Sequence, residues 1–552
     1  MYKRQAYGVQ AASEYYFQKD VGDLDWAEGA MLAALIRSPS NYDPFKNPEL
    51  AVQQRDLVLG RLVATGTLNE DEALFSGVMG LPTEPNPPEP PYDYFVEEVK
   101  KALLADEHFG LGSTPEARNR AVYEGGIRVY TTYDPELQAK AIQARQETLP
   151  KSEDGATFPV RNPKTGETTF GTQAIASIEP STGAVRVLVG GPGFDEWQFN
   201  LATQSPGRQP GSTMKTFTLA TLFEGDGDDS LEHVPADTVS GGSCTFRFPG
   251  EREPYSLGGG MGTNTITRVT QSSSNCAFMR LSQVAGIQNV ALMATRLGIR
   301  SDLYDHDNEG NPTAPPWNLT LGTKEVTPLD MAAAYGVFAN DGMRHEPYMV
   351  ERIEDRNGKV IYLHRPEPER IVSQQTARLV TEVLAANVTG GTGRNARISS
   401  GQPAAGKTGT TNESTDVWFV GYTPQLSTAV WMGAPVGSIS LAQAGLGGAT
   451  GGRYPAATWG KYYSLLMQDQ PSVDFREPDT TRRGKSVGKI PYEAGGRPSS
   501  TRRPRSTTGG GTTTTAPGDT ATTTPGGSAP DTSTPQTSPP ESTPPPQPQP
   551  GG

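Results

Sequence analysis

The chain has 552 residues, enough for two or three domains, and a formal net charge of -13. That balance argues against a general nucleic-acid binder. Two cysteines and five histidines at no ligand spacing exclude a Cys-rich zinc site and a disulfide scaffold, and neither a metal nor a cofactor is expected.

Residues 1–80 are expected to be helical, a segment short for an independent core. Met1-Tyr2-Lys3-Arg4 begins as if in mid-domain, without the look of a signal peptide, and no run in the chain approaches membrane-spanning length. Asp25 and Glu28 have capping-box spacing ahead of an apolar helical run from Trp26 to Ile36, stopped by Ser38-Pro39. Arg55 to Leu68 reads as a second helix that Gly66 ends. Leu81 to Pro91 is proline-rich and reads as an extended linker within an interdomain region at 81–170. That region is expected to hold a helix at Tyr94–Ala105, a strand at Gly126–Tyr133 and a helix opening at Asp134-Pro135.

From Gly171 to about residue 470 the pattern becomes α+β. Gln173–Ile178 and Ala184–Val189 flank Pro180-Ser181-Thr182-Gly183, a hairpin signal. A helix runs from Thr213 to Phe223. Thr327-Pro328-Leu329-Asp330 opens another, which closes at Asn340-Asp341-Gly342, and Ser373 caps a further helix through Val388. Val417–Val420 and Thr428–Met432 read as paired strands. Strands at both ends with helices between them imply one sheet closed by distant segments. Cys244 and Cys276 could form one disulfide in an exported protein; the reading taken is two unpaired core residues. Beyond 476 the chain turns basic and then becomes Thr-, Pro- and Gly-rich, so 476–552 is expected to be a disordered tail.

The chemistry centres on Ser212. Pro210-Gly211 places it at a helix start, and three steps along the helix bring Lys215 to the same face. A serine hydroxyl needs a base within reach, and a partly desolvated lysine can serve. Unpaired N–H groups at the helix start suit an oxyanion. Ser273-Ser274-Asn275 adds a second hydroxyl, Ser273, able to relay a proton, and an amide, Asn275, able to hold a peptide backbone. Lys407-Thr408-Gly409-Thr410 precedes the late strands. There Lys407 is expected to offer a fixed charge to a substrate carboxylate and a field keeping Lys215 neutral. Thr408 and Thr410 supply donors, and Gly409 lets a substrate lie close along the edge. A second K-T-G, Lys164-Thr165-Gly166, lies before Ser212 in a polar turn, and turn chemistry accounts for it.

In this order S-x-x-K, S-x-N and K-T-G resemble the signature of penicillin-interacting serine acyltransferases. Arg208–Ser212, Leu321–Pro328, Ala334–Asn340 and Gly406–Thr411 narrow the resemblance to the transpeptidase domain of class A penicillin-binding proteins, over roughly residues 170–470. Ala6–Ala12, Leu32–Ile36 and Pro39–Pro44 are similar to the end of that family's glycosyltransferase domain. The resemblance implies a serine β-lactamase/D,D-transpeptidase-like fold, an antiparallel sheet with helices, at 171–470. A small all-α remnant of a lysozyme-like family 51 glycosyltransferase domain would precede it at 1–80. It implies D,D-transpeptidation of peptidoglycan stem peptides through a Ser212 acyl-enzyme, blocked by β-lactams, with an oxyanion hole from the N–H groups of Ser212 and Thr410. It places the protein at the outer face of the bacterial membrane, held by an N-terminal anchor. That anchor and the two polymerase glutamates belong upstream of residue 1, so a truncated chain without glycan polymerisation is expected. Ala434-Pro435-Val436-Gly437 stands where the family usually has an aspartate-bearing segment. A D,D-carboxypeptidase, a β-lactamase and a non-catalytic peptidoglycan-binding scaffold are the rival readings.

Overall fold

The computed structural model describes residues 9–82, 93–162, 164–225, 233–443, 445–468, 470–479 and 483–494, all within one unit, Met1–Gly496. The first eight residues, the proline-rich linker from residue 83 onward and the Thr/Pro/Gly-rich tail from residue 495 onward lie outside the described residues.

Four helices come first: α1 (Val9–Phe17), α2 (Trp26–Arg37), α3 (Pro48–Ala64) and α4 (Glu70–Gly77). The capping box ahead of α2 forms as its spacing predicts, with Asp25 accepting from the Glu28 N–H and Glu28 from the Asp25 N–H. The second helix begins seven residues earlier than its apolar pattern suggests and ends at Ala64. Pro48 at its first turn and Glu49 beside it form a polar start that the apolar period does not report. Tyr15, Tyr16, Met31, Leu32 and Leu35 close a small core of their own under these helices.

Next come α5 (Tyr94–Ala105), α6 (Pro115–Glu124), β1 (Arg128–Thr131), α7 (Pro135–Thr148), β2 (Thr157–Arg161), β3 (Thr168–Ile178) and β4 (Val185–Val189). After β4 the chain forms α8 (Lys215–Glu224), the hairpin β5 (Thr238–Phe246) and β6 (Tyr255–Thr265), and helices α9 (Ile266–Gln271), α10 (Asn275–Ala285), α11 (Ile287–Leu297) and α12 (Pro328–Ala339). Short strands β7 (Met343–Arg344), β8 (Val350–Glu354), β9 (Val360–Leu363) and β10 (Glu369–Arg370) precede α13 (Gln374–Gly390). The chain then returns to the main sheet as β11 (Ala405–Thr410), β12 (Asp416–Tyr422) and β13 (Ser427–Gly433), and α14 (Pro455–Leu466) follows.

The main sheet runs β11-β12-β13-β3-β2, with β4 also paired to β3, and all these pairings are antiparallel. Chain-distant strands therefore close one sheet, as the sequence pattern implies. Its alternation sorts side chains to two cores. Ala174, Ala176 and Ile178 face a core with Phe217, Phe278 and Tyr335 of α8, α10 and α12. Ile175 faces the other side, with Trp459 and Tyr463 of α14 and Ala141 of α7. Helices cover both faces of the sheet, which leaves β11 as an edge.

Two expectations are corrected here. Cys244 and Cys276 are joined in a disulfide, with Cα atoms 5.6 Å apart. The α9–α10 turn brings Cys276, one residue after Asn275, against β5, and a proximity set by tertiary folding has no sequence signature. The segment 483–494, assigned to the tail, instead lies along the free edge of β5. Val487 N–H donates to Thr238 O, Ala494 N–H to Thr245 O, and Arg280 pairs with Glu493 at 2.5 Å. An open strand edge needs a partner, and Val487, Ile490 and Tyr492 supply apolar contacts at three points within basic and glycine-containing sequence.

Candidate active site

Ser212 lies in a single 3-10 turn, Gly211–Met214, that feeds directly into α8, and the N–H of Lys215 donates back to Ser212 O. The turn is held from behind. Tyr335 OH of α12 donates to Thr213 O at 2.8 Å, and Trp418 Nε1 of β12 donates to Gln209 O at 2.8 Å. Gly211 has φ 54°, and a Cβ there would meet the Thr410 backbone at 2.9 Å. Only a glycine lets the turn lie this close to β11. Gly409 packs the same seam from the other side, since its Cβ would fall 2.2 Å from Pro210 O.

Lys215 is fully buried. Its ammonium group donates to Asn275 Oδ1 at 2.6 Å and to Ser273 O at 2.7 Å, with Ser273 Oγ at 3.4 Å. Burial, and then the charge of Lys407, hold its pKa well below the usual lysine range. Lys407 is also fully buried, and burial pushes it down to about 7. Its ammonium donates to Ser273 Oγ at 2.8 Å and to Thr408 O at 3.0 Å. Ser273 therefore stands between the two amines. The α9–α10 turn places it there, with Ser273 in a left-handed conformation (φ 55°) and Ser274 capping α10.

The edge position of β11 sets what Thr410 offers. Thr411 N–H donates to Asp416 O at 3.1 Å, and antiparallel alternation then turns the N–H of Thr410 away from β12 toward the open edge, where the Ser212 turn packs. The Thr410 hydroxyl accepts from Gly451 N–H, and Thr408 Oγ1 lies 2.7 Å from Thr392 Oγ1.

The structure thus gathers Ser212, Lys215, Ser273, Asn275, Lys407, Thr408, Gly409 and Thr410 at one place. Lys407 is buried and bonded to Ser273 and Thr408. Lys164-Thr165-Gly166 forms a turn between β2 and β3, with Lys164 N–H donating to Asn162 Oδ1. A cleft of about 470 Å³ opens beside Ser212 and Ser273, and two arginines that the motif reading passed over, Arg394 and Arg453, help to line it. Both follow glycine-rich turns, Gly390-Gly391-Thr392-Gly393 and Gly451-Gly452, which was their only signal.

The family described as the penicillin binding protein transpeptidase domain matches residues 173–454, slightly over half of the chain. The chain belongs to that family. The transglycosylase family matches residues 1–63, so the chain joins a class A transpeptidase domain to a transglycosylase fragment. Penicillin-binding protein 1A of Aquifex aeolicus is 29% identical over 86% of this chain and 70% of its own length. The Mycobacterium tuberculosis protein of the same name is 31% identical over 86% of this chain and 56% of its own length. This chain therefore spans little more than half of that mycobacterial relative. Among solved structures, penicillin-binding protein 1A from Haemophilus influenzae matches with a TM-score of 0.65 and 21% identity, covering 85% of this chain and 84% of that one. The PonA1 protein from Mycobacterium tuberculosis in complex with penicillin V matches with a TM-score of 0.57 and 26% identity, covering 69% of this chain and 96% of that one. Among the described residues, no helix of this transpeptidase is long and apolar enough to cross a membrane.

Proposed function

We propose that this penicillin-binding transpeptidase is a serine D,D-transpeptidase that crosslinks peptidoglycan stem peptides outside the cytoplasm. The observation that carries the reading is Ser273 Oγ, held 2.8 Å from the Lys407 amine and 3.4 Å from that of Lys215, one turn from Ser212. A neutral Lys215 amine has two hydrogens, which Asn275 Oδ1 and Ser273 O take up, leaving its lone pair free. That lone pair accepts the Ser212 proton as Ser212 Oγ bonds to the carbonyl before the terminal D-alanine. The N–H groups of Ser212 and Thr410 receive the oxyanion. As the C–N bond breaks, the proton returns through Ser273 to the departing D-alanine amine, leaving an ester on Ser212. An amine from a second stem adds to that ester and gives its proton to the same base; the bond from Ser212 Oγ to the acyl carbon then breaks, Ser212 Oγ takes that proton back, and the crosslinked peptide leaves. A β-lactam enters by the first half of this path and stays bound, because its leaving amine remains tethered to the acyl group.

The test supplies a pentapeptide stem ending in D-Ala-D-Ala together with an amine-bearing acceptor stem. Release of D-alanine with crosslinked dimer is expected, and Ser212→Ala should remove both products. D-alanine release without dimer would mark a carboxypeptidase, and dimer formation by Ser212→Ala would refute the assignment.

A further inference from the structure

A groove of about 780 Å³ lies apart from the cleft beside Ser212 and shares no lining residue with it. The β5–β6 turn, the last turns of α10, the loop at 313–318 and the strap at 483–494 enclose it. Gln283 of α10 lines it, roughly 12 Å along the helix from Asn275. Its floor is aromatic. Phe248 and Trp317 stack with ring centres 4.7 Å apart and planes 3° apart, and Tyr492 meets Trp317 edge-on at 5.4 Å. Phe248 is buried, Trp317 is half-buried and Tyr492 is 47% exposed, so ring surface is left open to a ligand. Pro315, Pro316 and Pro491 help to form the walls, and their fixed φ angles hold the groove in shape.

Charge of one sign borders this floor. Glu251, Glu253 and Asp305 line the groove, and no lysine or arginine does. Asp305 is paired with Lys324 at 2.7 Å. Glu251 and Glu253 are exposed and have no ion pair among the described residues. Hydrogen-bonding capacity is left over as well. The indole N–H of Trp317 and the hydroxyl of Tyr492 have no partner among the described residues. Gln283 is only 6% exposed; its Nε2 donates to Ser282 Oγ at 3.3 Å, and its Oε1 accepts nothing among the described residues.

Flat rings with donors at their edges, beside unpaired carboxylates, suit a ligand with three properties. It must stack at little entropic cost, present carbonyl acceptors and carry positive charge. A polyproline II segment meets the first two, because it is stiff, makes no internal hydrogen bonds and keeps its carbonyls outward. Arginine or lysine side chains on that segment supply the third. We propose that this groove docks a basic, proline-rich segment of a partner protein. Its prolines rest on Trp317 and Tyr492, and its cations pair with Glu251 and Glu253. Aromatic-lined grooves take such segments in preformed shape, and the acidic rim excludes an acidic ligand by like charge. The proposal stands independently of the chemistry at Ser212.

The test titrates the purified chain into dye-labelled synthetic peptides and reads fluorescence anisotropy. A peptide of three Arg-Pro-Pro repeats should bind saturably. Repeats of Glu-Pro-Pro and of Arg-Gly-Ser should each bind at least about tenfold more weakly, since one loses the charge match and the other the stiff rings. Glu251→Gln combined with Glu253→Gln should weaken the Arg-Pro-Pro peptide about tenfold and flatten its salt dependence. Tyr492→Ser should weaken it by about as much, as loss of an aromatic anchor does. Circular dichroism of the parent and the variants checks that the fold is kept, and the two glutamate changes, both at exposed positions, test the groove even where Tyr492→Ser loosens the strap. Absence of binding, equal binding of the Arg-Gly-Ser repeats, or an affinity unchanged in both variants would overturn the proposal. Binding of a chitin tetrasaccharide in place of the Arg-Pro-Pro peptide would assign the groove to a glycan and overturn it as well.

Discussion

A lysine can act as a base only where its neutral form is populated, and at this site burial and a second lysine help to unload Lys215. Burial is the larger cause for Lys215, and the positive charge of Lys407 is the next. The sign of a test follows from that order. Lys407→Met keeps the buried volume and removes the charge, so Lys215 should hold its proton to higher pH. Because the neutral amine is the active form, the rising limb of the acylation rate against pH should move to higher pH. A limb that stays in place, or moves to lower pH, would show that the two amines are not coupled in this way. The Ser212–Lys215 relation was legible because one helical turn is a local rule. The placement of Lys407 against Ser273 Oγ and Thr408 O was not, because that contact is set by tertiary folding. Arg394 and Arg453 escaped the motif reading because they come from two loops joined through Asn395 and Gly452, with no periodic pattern to mark them.

At the level of elements, the start of α10 is braced from three sides. Ser274 caps it, Asn275 accepts from Lys215, and Cys276 is tied to β5. A crosslink between residues 32 apart restricts the unfolded chain by about 3–4 kcal/mol on the loop-entropy account. Cys276→Ser should therefore lower the unfolding free energy in urea by about that amount. It should also slow penicillin acylation, because Asn275 is the neighbouring residue. Denaturation that superimposes on the parent curve would mean the bond contributes nothing to the fold. The starts of α12 and α13 were readable from their caps, and the hairpin of β3 and β4 forms where the Pro180–Gly183 turn places it, whereas β5, β6 and α9 to α11 were not read from the sequence. The disulfide and the strap at 483–494 were not readable, since both depend on which edge of β5 lies open after folding.

On the scale of the whole molecule, the site exists only where five separated stretches meet: the Ser212 turn, the α9–α10 turn, the Thr392–Asn395 loop, β11, and the glycine-rich turn before α14. Each is ordinary alone, and glycine packing at Gly211, Gly409 and Gly452 brings them within bonding distance. The antiparallel order of the sheet makes this possible by leaving β11 at an edge whose N–H groups face the serine turn. The same logic separates the two K-T-G segments, one on this edge and one in the turn between β2 and β3.

The most direct measurement is to locate the covalent penicillin adduct by peptide mass mapping of the labelled, folded chain. The account predicts one adduct, on Ser212 within Arg208–Lys215, absent from Ser212→Ala and from urea-unfolded protein. An adduct on any other residue, or labelling that persists in Ser212→Ala, would contradict it.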